Sequence, residues 1–131
     1  MSVHFDKVKG YLLELGFDIK HEDQKEELFI IDSEDDGIVN LVVDCEDPIL
    51  VIEMMLFDIN TPSQDMFKEL LIKNREIVHG AFALNEEGNK LLFRDTLQLE
   101  NLDLNELEGS INALSLLMGE YYQKLLEFAK N

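Results

Sequence analysis

The sequence predicts an α+β fold of order α-β-β-β-α-β-β-α, one mainly antiparallel sheet packed with three helices. Three observations carry that reading. A helical hydrophobic period opens the chain, period-two and apolar runs follow, and two well-capped helices flank a hairpin in the second half. With 131 residues the chain is expected to form one domain, residues 1–131. A chain of this length buries roughly two-thirds of its unfolded surface, enough for a core without disulfide or metal staples. Its 46% hydrophobic content argues against disorder.

Ser2 is placed to cap a first helix running to Leu15, with Gly16 to end it. Phe5, Val8, Leu12 and Leu15 would form its buried stripe. Phe17 and Ile19 lead toward the sheet, and the charged stretch His21 to Glu27 reads as a loop. Leu28 to Ile31 is a short strand between acidic residues. Asp32 to Gly37 is a turn, in which Gly37 accommodates a positive φ. Ile38 to Cys45 follows as a strand, with Val39, Leu41, Val43 and Cys45 on one face and Ile38, Asn40, Val42 and Asp44 on the other.

Glu46-Asp47-Pro48 turns the chain into a strand from Ile49 to Phe57. One face of it, Leu50, Ile52, Met54 and Leu56, is wholly apolar; the other is apolar except for Glu53. Such a strand is either central and covered or part of an interface. Thr61-Pro62-Ser63-Gln64 reads as a helix start, with Thr61 as N-cap and Pro62 at the first helical position, and the helix should reach about Glu76. Met66, Phe67, Leu70, Leu71, Ile77 and Val78 share one side of its wheel, Asn74 falls among them, and Ile72 lies well outside. Asn74 is either a polar anchor at an interface or, the favoured reading, a bond to backbone at the helix end.

His79 to Leu84 and Lys90 to Leu97 form a hairpin across Asn85 to Asn89, with Gly88 as its αL residue. Ala81 and Ala83 leave one face of its first strand small. Asp103 and Glu106 form a capping box for the last helix, with Leu102 and Leu107 as a hydrophobic staple. Leu107, Ile111, Leu114, Leu117, Met118, Tyr121, Leu125 and Phe128 make its apolar stripe. At 1.5 Å per residue the helix spans about 40 Å. Gly109 and Gly119 weaken it and are expected to mark close packing or a bend.

The net charge of -17 disfavours nucleic acid and anionic membranes as partners and favours solubility. Twelve carboxylates face only two lysines between Asp18 and Asp47, a solvated surface or a dock for a basic peptide. The one cysteine, Cys45, forms no intrachain disulfide, which fits a reducing compartment. No charged-then-apolar leader and no apolar run near 18 residues is apparent, so the expected location is cytoplasmic.

No catalytic constellation emerges. Asp32 to Gly37 resembles the start of a calcium loop, but its twelfth position is Val43 instead of a bidentate glutamate. His4, His21 and His79 lack metal-ligand spacing, so no metal and no cofactor are expected. Ser110 and Ser115 sit inside a helix without a base or a nucleophile elbow. Cys45 reads as a small core residue with no basic activator near it in sequence. The reading is of a non-enzyme, with no catalytic residues.

The stretch His79-Gly80-Ala81-Phe82-Ala83-Leu84, the acidic turn with Gly88, Leu91-Leu92-Phe93-Arg94, and Leu97-x-Leu99 with Leu102-Asp103 before a helix resemble the YbjN family. They also resemble class I type III secretion chaperones of the Tir type. Asp47 to Glu53 is similar to the central strands of YbjN-like proteins. The element order covers nearly the whole chain. The resemblance implies a non-enzymatic, often dimeric module, which in the secretion chaperones holds an extended effector segment.

The expected function is therefore a homodimeric, chaperone-like protein that binds itself and a protein client. The alternative is a monomeric acidic regulator or adaptor for a basic partner. Met66, Phe67, Leu70, Leu71 and Ile72 are the candidates for self-association. Val51, Met55 and Phe57 are the candidates for client binding, because Met-rich surfaces adapt to varied partners.

Overall fold

A computed structural model describes residues 3–130, so the proposed cap at Ser2 lies outside the described residues. Helix α1 (Val3–Glu14) is followed by strands β1 (Asp18–Asp23), β2 (Leu28–Ser33), β3 (Ile38–Glu46) and β4 (Ile49–Asp58). A single 3-10 turn (Glu34–Asp36) precedes β3. Then come α2 (Gln64–Asn74), β5 (Ala81–Leu84), β6 (Lys90–Gln98) and α3 (Leu104–Lys130). All strand pairs are antiparallel, in spatial order β1-β2-β3-β4-β6-β5. The fold is α+β with three helices, as the hydrophobic periods indicate, but the sheet has one more strand than those periods count.

The extra strand is β1. His21 to Glu27 is not all loop: Asp18–Asp23 pairs with β2, and the connecting turn begins after Asp23, whose carboxylate accepts the Glu26 N–H. β1 escapes a hydrophobic reading because it is an edge strand. Its backbone is satisfied on one side, and an edge needs no apolar alternation and favours charge.

The three helices cover one face of the sheet. Phe5, Val8 and Leu12 of α1, Met66 and Leu70 of α2, and Leu107, Ile111, Leu114, Leu117, Leu125 and Phe128 of α3 form one core. The sheet contributes Phe29, Ile31, Leu41, Val43, Leu50, Ile52, Met54, Leu91 and Phe93 to it. Phe5 stacks on Phe29 with ring centroids 4.5 Å apart. The opposite face carries Ile30, Val42, Val51 and Leu92, which do not belong to this core.

Local signals end and start the helices much as their residues dictate. Gly16 and Phe17 close α1 with N–H bonds to the Leu13 and Leu12 carbonyls, the paired bonds of a Schellman motif. The capping box of α3 is formed in both directions: Glu106 N–H donates to Asp103 Oδ1 at 2.7 Å, and Asp103 N–H to Glu106 Oε1 at 3.2 Å. Leu102 and Leu107 are both buried beside it. For α2 the cap is Ser63 and not Thr61. Ser63 is extended and its Oγ accepts the Met66 N–H at 3.3 Å, so the helix begins at Gln64 and ends at Asn74, earlier than Glu76. Gly109 and Gly119 do not mark close packing, since a Cβ at either meets nothing within 4 Å.

Two bulges shift strand phase. Between Ile38 and Leu41, β3 has one residue more than β2 opposite it, with Asn40 at φ 54°. Ile38 is thereby buried and Val39 exposed, the reverse of strict alternation. In β4, Met55 opposes Leu92 and Phe57 opposes Leu91, so Leu56 is extra. Phe57 turns to the helix-covered side and packs against the core.

Candidate protein-binding surfaces

Helix α2 and the edge strand β5 form the first surface. Of the five α2 residues expected to serve self-association, Met66 and Leu70 are committed to the core. Phe67 is half-buried, while Leu71 and Ile72 are 68% and 56% exposed. Phe67, Leu70, Leu71, Phe82 and Leu84 line a hollow of about 270 Å³ between the helix and the strand; Ile72 lies outside it.

Asn74 holds this corner together. Its Nδ2 donates to the Phe82 carbonyl at 3.2 Å, and the Phe82 N–H donates to its Oδ1 at 2.7 Å. The side chain copies a strand residue and occupies backbone groups of Phe82 that an added strand would need. The backbone role favoured from sequence is the one found, with its partner in β5. Gly80, at φ 83°, enters β5 against the Phe93 ring, which any Cβ there would strike.

The second surface is a groove of about 640 Å³ beneath the middle of α3. Val39 of β3 and Met54, Met55 and Leu56 of β4 line one side; Ser115, Met118, Gly119 and Tyr122 of α3 line the other. Glu34, Asp35 and Asp36 form its rim. Val39, Met55 and Tyr122 are 48%, 44% and 49% exposed, an apolar opening in a highly charged chain. Gly37, at φ 74°, brings the rim onto α3, since a Cβ there would lie 3.1 Å from Met118 Cβ.

The structure thus separates the three expected client residues. Met55 lines the groove, Val51 is buried on the open sheet face, and Phe57 is turned toward the core by the bulge. Val39, Met118 and Tyr122 join Met55 in this groove although their places in the strand and helix periods do not mark them for it. Only the methionine content of the groove, Met54, Met55 and Met118, had a sequence signal.

Ser110, Cys45 and Asp44 are polar groups drawn into or against the packed interior. Ser110 is buried and its Oγ donates to Asp95 Oδ2 at 2.6 Å, a bond to an acid and not to an activating histidine. Burial, with Glu27, Asp44 and Glu46 nearby, pushes the Cys45 thiol up to about 12, far from a reactive thiolate. Asp44, on the open sheet face, is raised to about 6 by burial first and then by Glu46, Glu26 and Glu53. Its Oδ1 is buried without a hydrogen-bond partner. In the Asp32 to Gly37 turn, Ser33 Oγ donates to Asp36 at 2.7 Å. Among the described residues, no His, Cys, Asp and Glu side chains cluster to hold a metal ion, and no helix is long and apolar enough to cross a membrane.

Comparison with solved structures gives the same architecture at low identity. YbjN of E. coli superposes with a TM-score of 0.69 at 12% identity, covering 92% of each chain. The HopA1–SchA chaperone–effector complex matches with a TM-score of 0.62 at 12% identity, over 97% of this chain and 94% of that one. The type III secretion chaperone SycH of Yersinia pestis, in complex with a stable fragment of YscM2, matches with a TM-score of 0.59 at 15% identity, over 96% and 99%. No curated protein matches in sequence. The CesT_Tir_1 family profile, however, matches residues 1–131, and this chain belongs to that family.

Proposed function

We propose that the protein is a non-enzymatic, chaperone-like binding module that forms a homodimer and holds a segment of a client protein. The observation that carries this reading is the pair of separate apolar surfaces left open after the core is filled. The α2–β5 surface, with Phe67, Leu71 and Leu84, suits self-association, because a two-fold interface brings the same patch of both copies together and buries apolar surface against apolar surface. Ile72, exposed but outside the hollow, remains a proposed contributor to the same self-association. The groove at Met55 suits the client. The likeness to SchA and SycH, both solved with protein partners, supports a protein client for this chain. The charge of -17 makes nucleic acid and membrane poor partners, and the protein is expected to work in the cytoplasm.

Light scattering over a concentration series tests the dimer. A mass near twice 15.1 kDa is expected for the native chain, and a mass near 15.1 kDa for Leu71→Asp with its helical content kept. A native monomer at every concentration overturns the homodimer. The second reading, a monomeric acidic adaptor, draws on the carboxylates between Asp18 and Asp47. It requires partner binding that weakens as salt rises.

A further inference from the structure

Resting on the client-binding reading, we infer that the groove beneath α3 takes an apolar segment bearing lysine or arginine, and that Gly119 keeps the groove open for it. The lining has two chemistries and lacks a third. Val39, Met55, Met118 and Tyr122 offer apolar surface, Glu34, Asp35 and Asp36 offer carboxylates, and no lysine or arginine is among the lining residues.

A purely apolar occupant would draw water away from the rim carboxylates and give them nothing in return, which is unfavourable. A cation on the occupant offsets that loss with charge-assisted hydrogen bonds. A second copy of this chain is a poor occupant, because it brings 28 carboxylates and only 11 lysines and arginines toward an acidic rim. The methionines suit a segment of variable shape.

Gly119 is the residue of the groove without a reason inside the folded chain. It lies within α3, where glycine is destabilising relative to alanine. Its backbone is not in the left-handed region, and a Cβ there would meet nothing within 4 Å. Neither packing nor conformation demands glycine. The space it leaves is on the groove wall, where a larger side chain would displace the occupant.

The test uses the full chain and methionine-methyl NMR. The probe is a synthetic peptide alternating Leu and Lys, beside a Ser–Lys peptide of equal charge and a Leu–Glu peptide of opposite charge. The Leu–Lys peptide is expected to shift the methyls of Met55 and Met118 and to leave Met66, in the core beneath α2, unmoved. Neither control should shift them. Gly119→Leu should weaken binding roughly tenfold or more while the melting temperature holds or rises, because leucine is the better helix former. Glu34→Gln, Asp35→Asn and Asp36→Asn together should weaken it and flatten its salt dependence.

Equal shifts with the Leu–Glu peptide, or binding unchanged in Gly119→Leu, overturn the inference. Shifts of the Leu71 and Leu84 methyls with Met55 and Met118 unmoved, read from leucine-methyl spectra of the same samples, move the peptide to the α2–β5 surface, which overturns the groove but leaves client binding standing. No shift with any peptide counts against both.

Discussion

The α2–β5 edge and the groove beneath α3 are both apolar openings, yet they are built by opposite means. The edge comes from neighbours in sequence: one helix, a short connection and the strand that follows, tied by the Asn74 bonds to Phe82. The groove assembles three distant segments, with a bulge exposing Val39 and a tight approach at Gly37 placing the rim. The edge is lined by branched and aromatic side chains with Asn74 as its one polar member. The groove is lined by methionines and rimmed by acid. Under the proposed function, the locked, uncharged surface would suit one fixed partner and the methionine surface with a charged rim a variable partner of defined charge.

Breaking the edge should cost most. Gly80→Ala forces a Cβ onto the Phe93 ring and a non-glycine residue into a left-handed conformation, and it should destabilise the fold by about 3 kcal/mol in urea unfolding. A change under about 1 kcal/mol would mean that β5 moves freely against β6. Asn74→Ala leaves the Phe82 N–H and carbonyl without their side-chain partner. A loss of about 2 kcal/mol is expected, together with faster amide exchange confined to β5. Equal exchange changes at Met118 would show that edge and groove are not independent.

The smallest effect is electrostatic and belongs to the open sheet face. Because the folded pKa of Asp44 is raised to about 6, the folded state binds its proton more tightly than the unfolded chain does. Ionised Asp44 therefore opposes folding above about pH 6, and that opposition fades as the pH falls from 6 toward 4. Asp44→Asn should stabilise the protein at pH 8 by about 1 kcal/mol, solvent screening included, and by less at pH 5. Unfolding curves at the two pH values check it; an equal gain at both would remove the carboxylate as the cause.

Much of the architecture was legible because its signals are local. The capping box at Asp103 and Glu106, the Schellman end at Gly16 and the turn at Gly37 each need only a few adjacent residues. The Thr61 cap failed because Ser63 competes for the same role two residues later, and the side chain that reaches the Met66 N–H wins. Strand β1 leaves no hydrophobic signal because it is stabilised by pairing to β2 and not by burying an apolar face. Period-two counting puts Val39 and Phe57 on the wrong faces, because it assumes an unbroken pleat and a bulge reverses the alternation beyond it.

The sequence alone determined the three helices, the caps of α3, the core stripe and the acidic character, since each depends on residue type and short spacing. Tertiary structure decided which members of the apolar stripes remain exposed, whereas the exposure of Ile72 already follows from its place on the helical wheel. Leu71 and Leu70 are adjacent and chemically identical, but one faces solvent and the other the core. That difference is set by where β5 and β6 lie against α2, a position fixed by pairing across the sheet. For the same reason Met55, Met118 and the Glu34–Asp36 rim share one groove only after β3, β4 and α3 have come together.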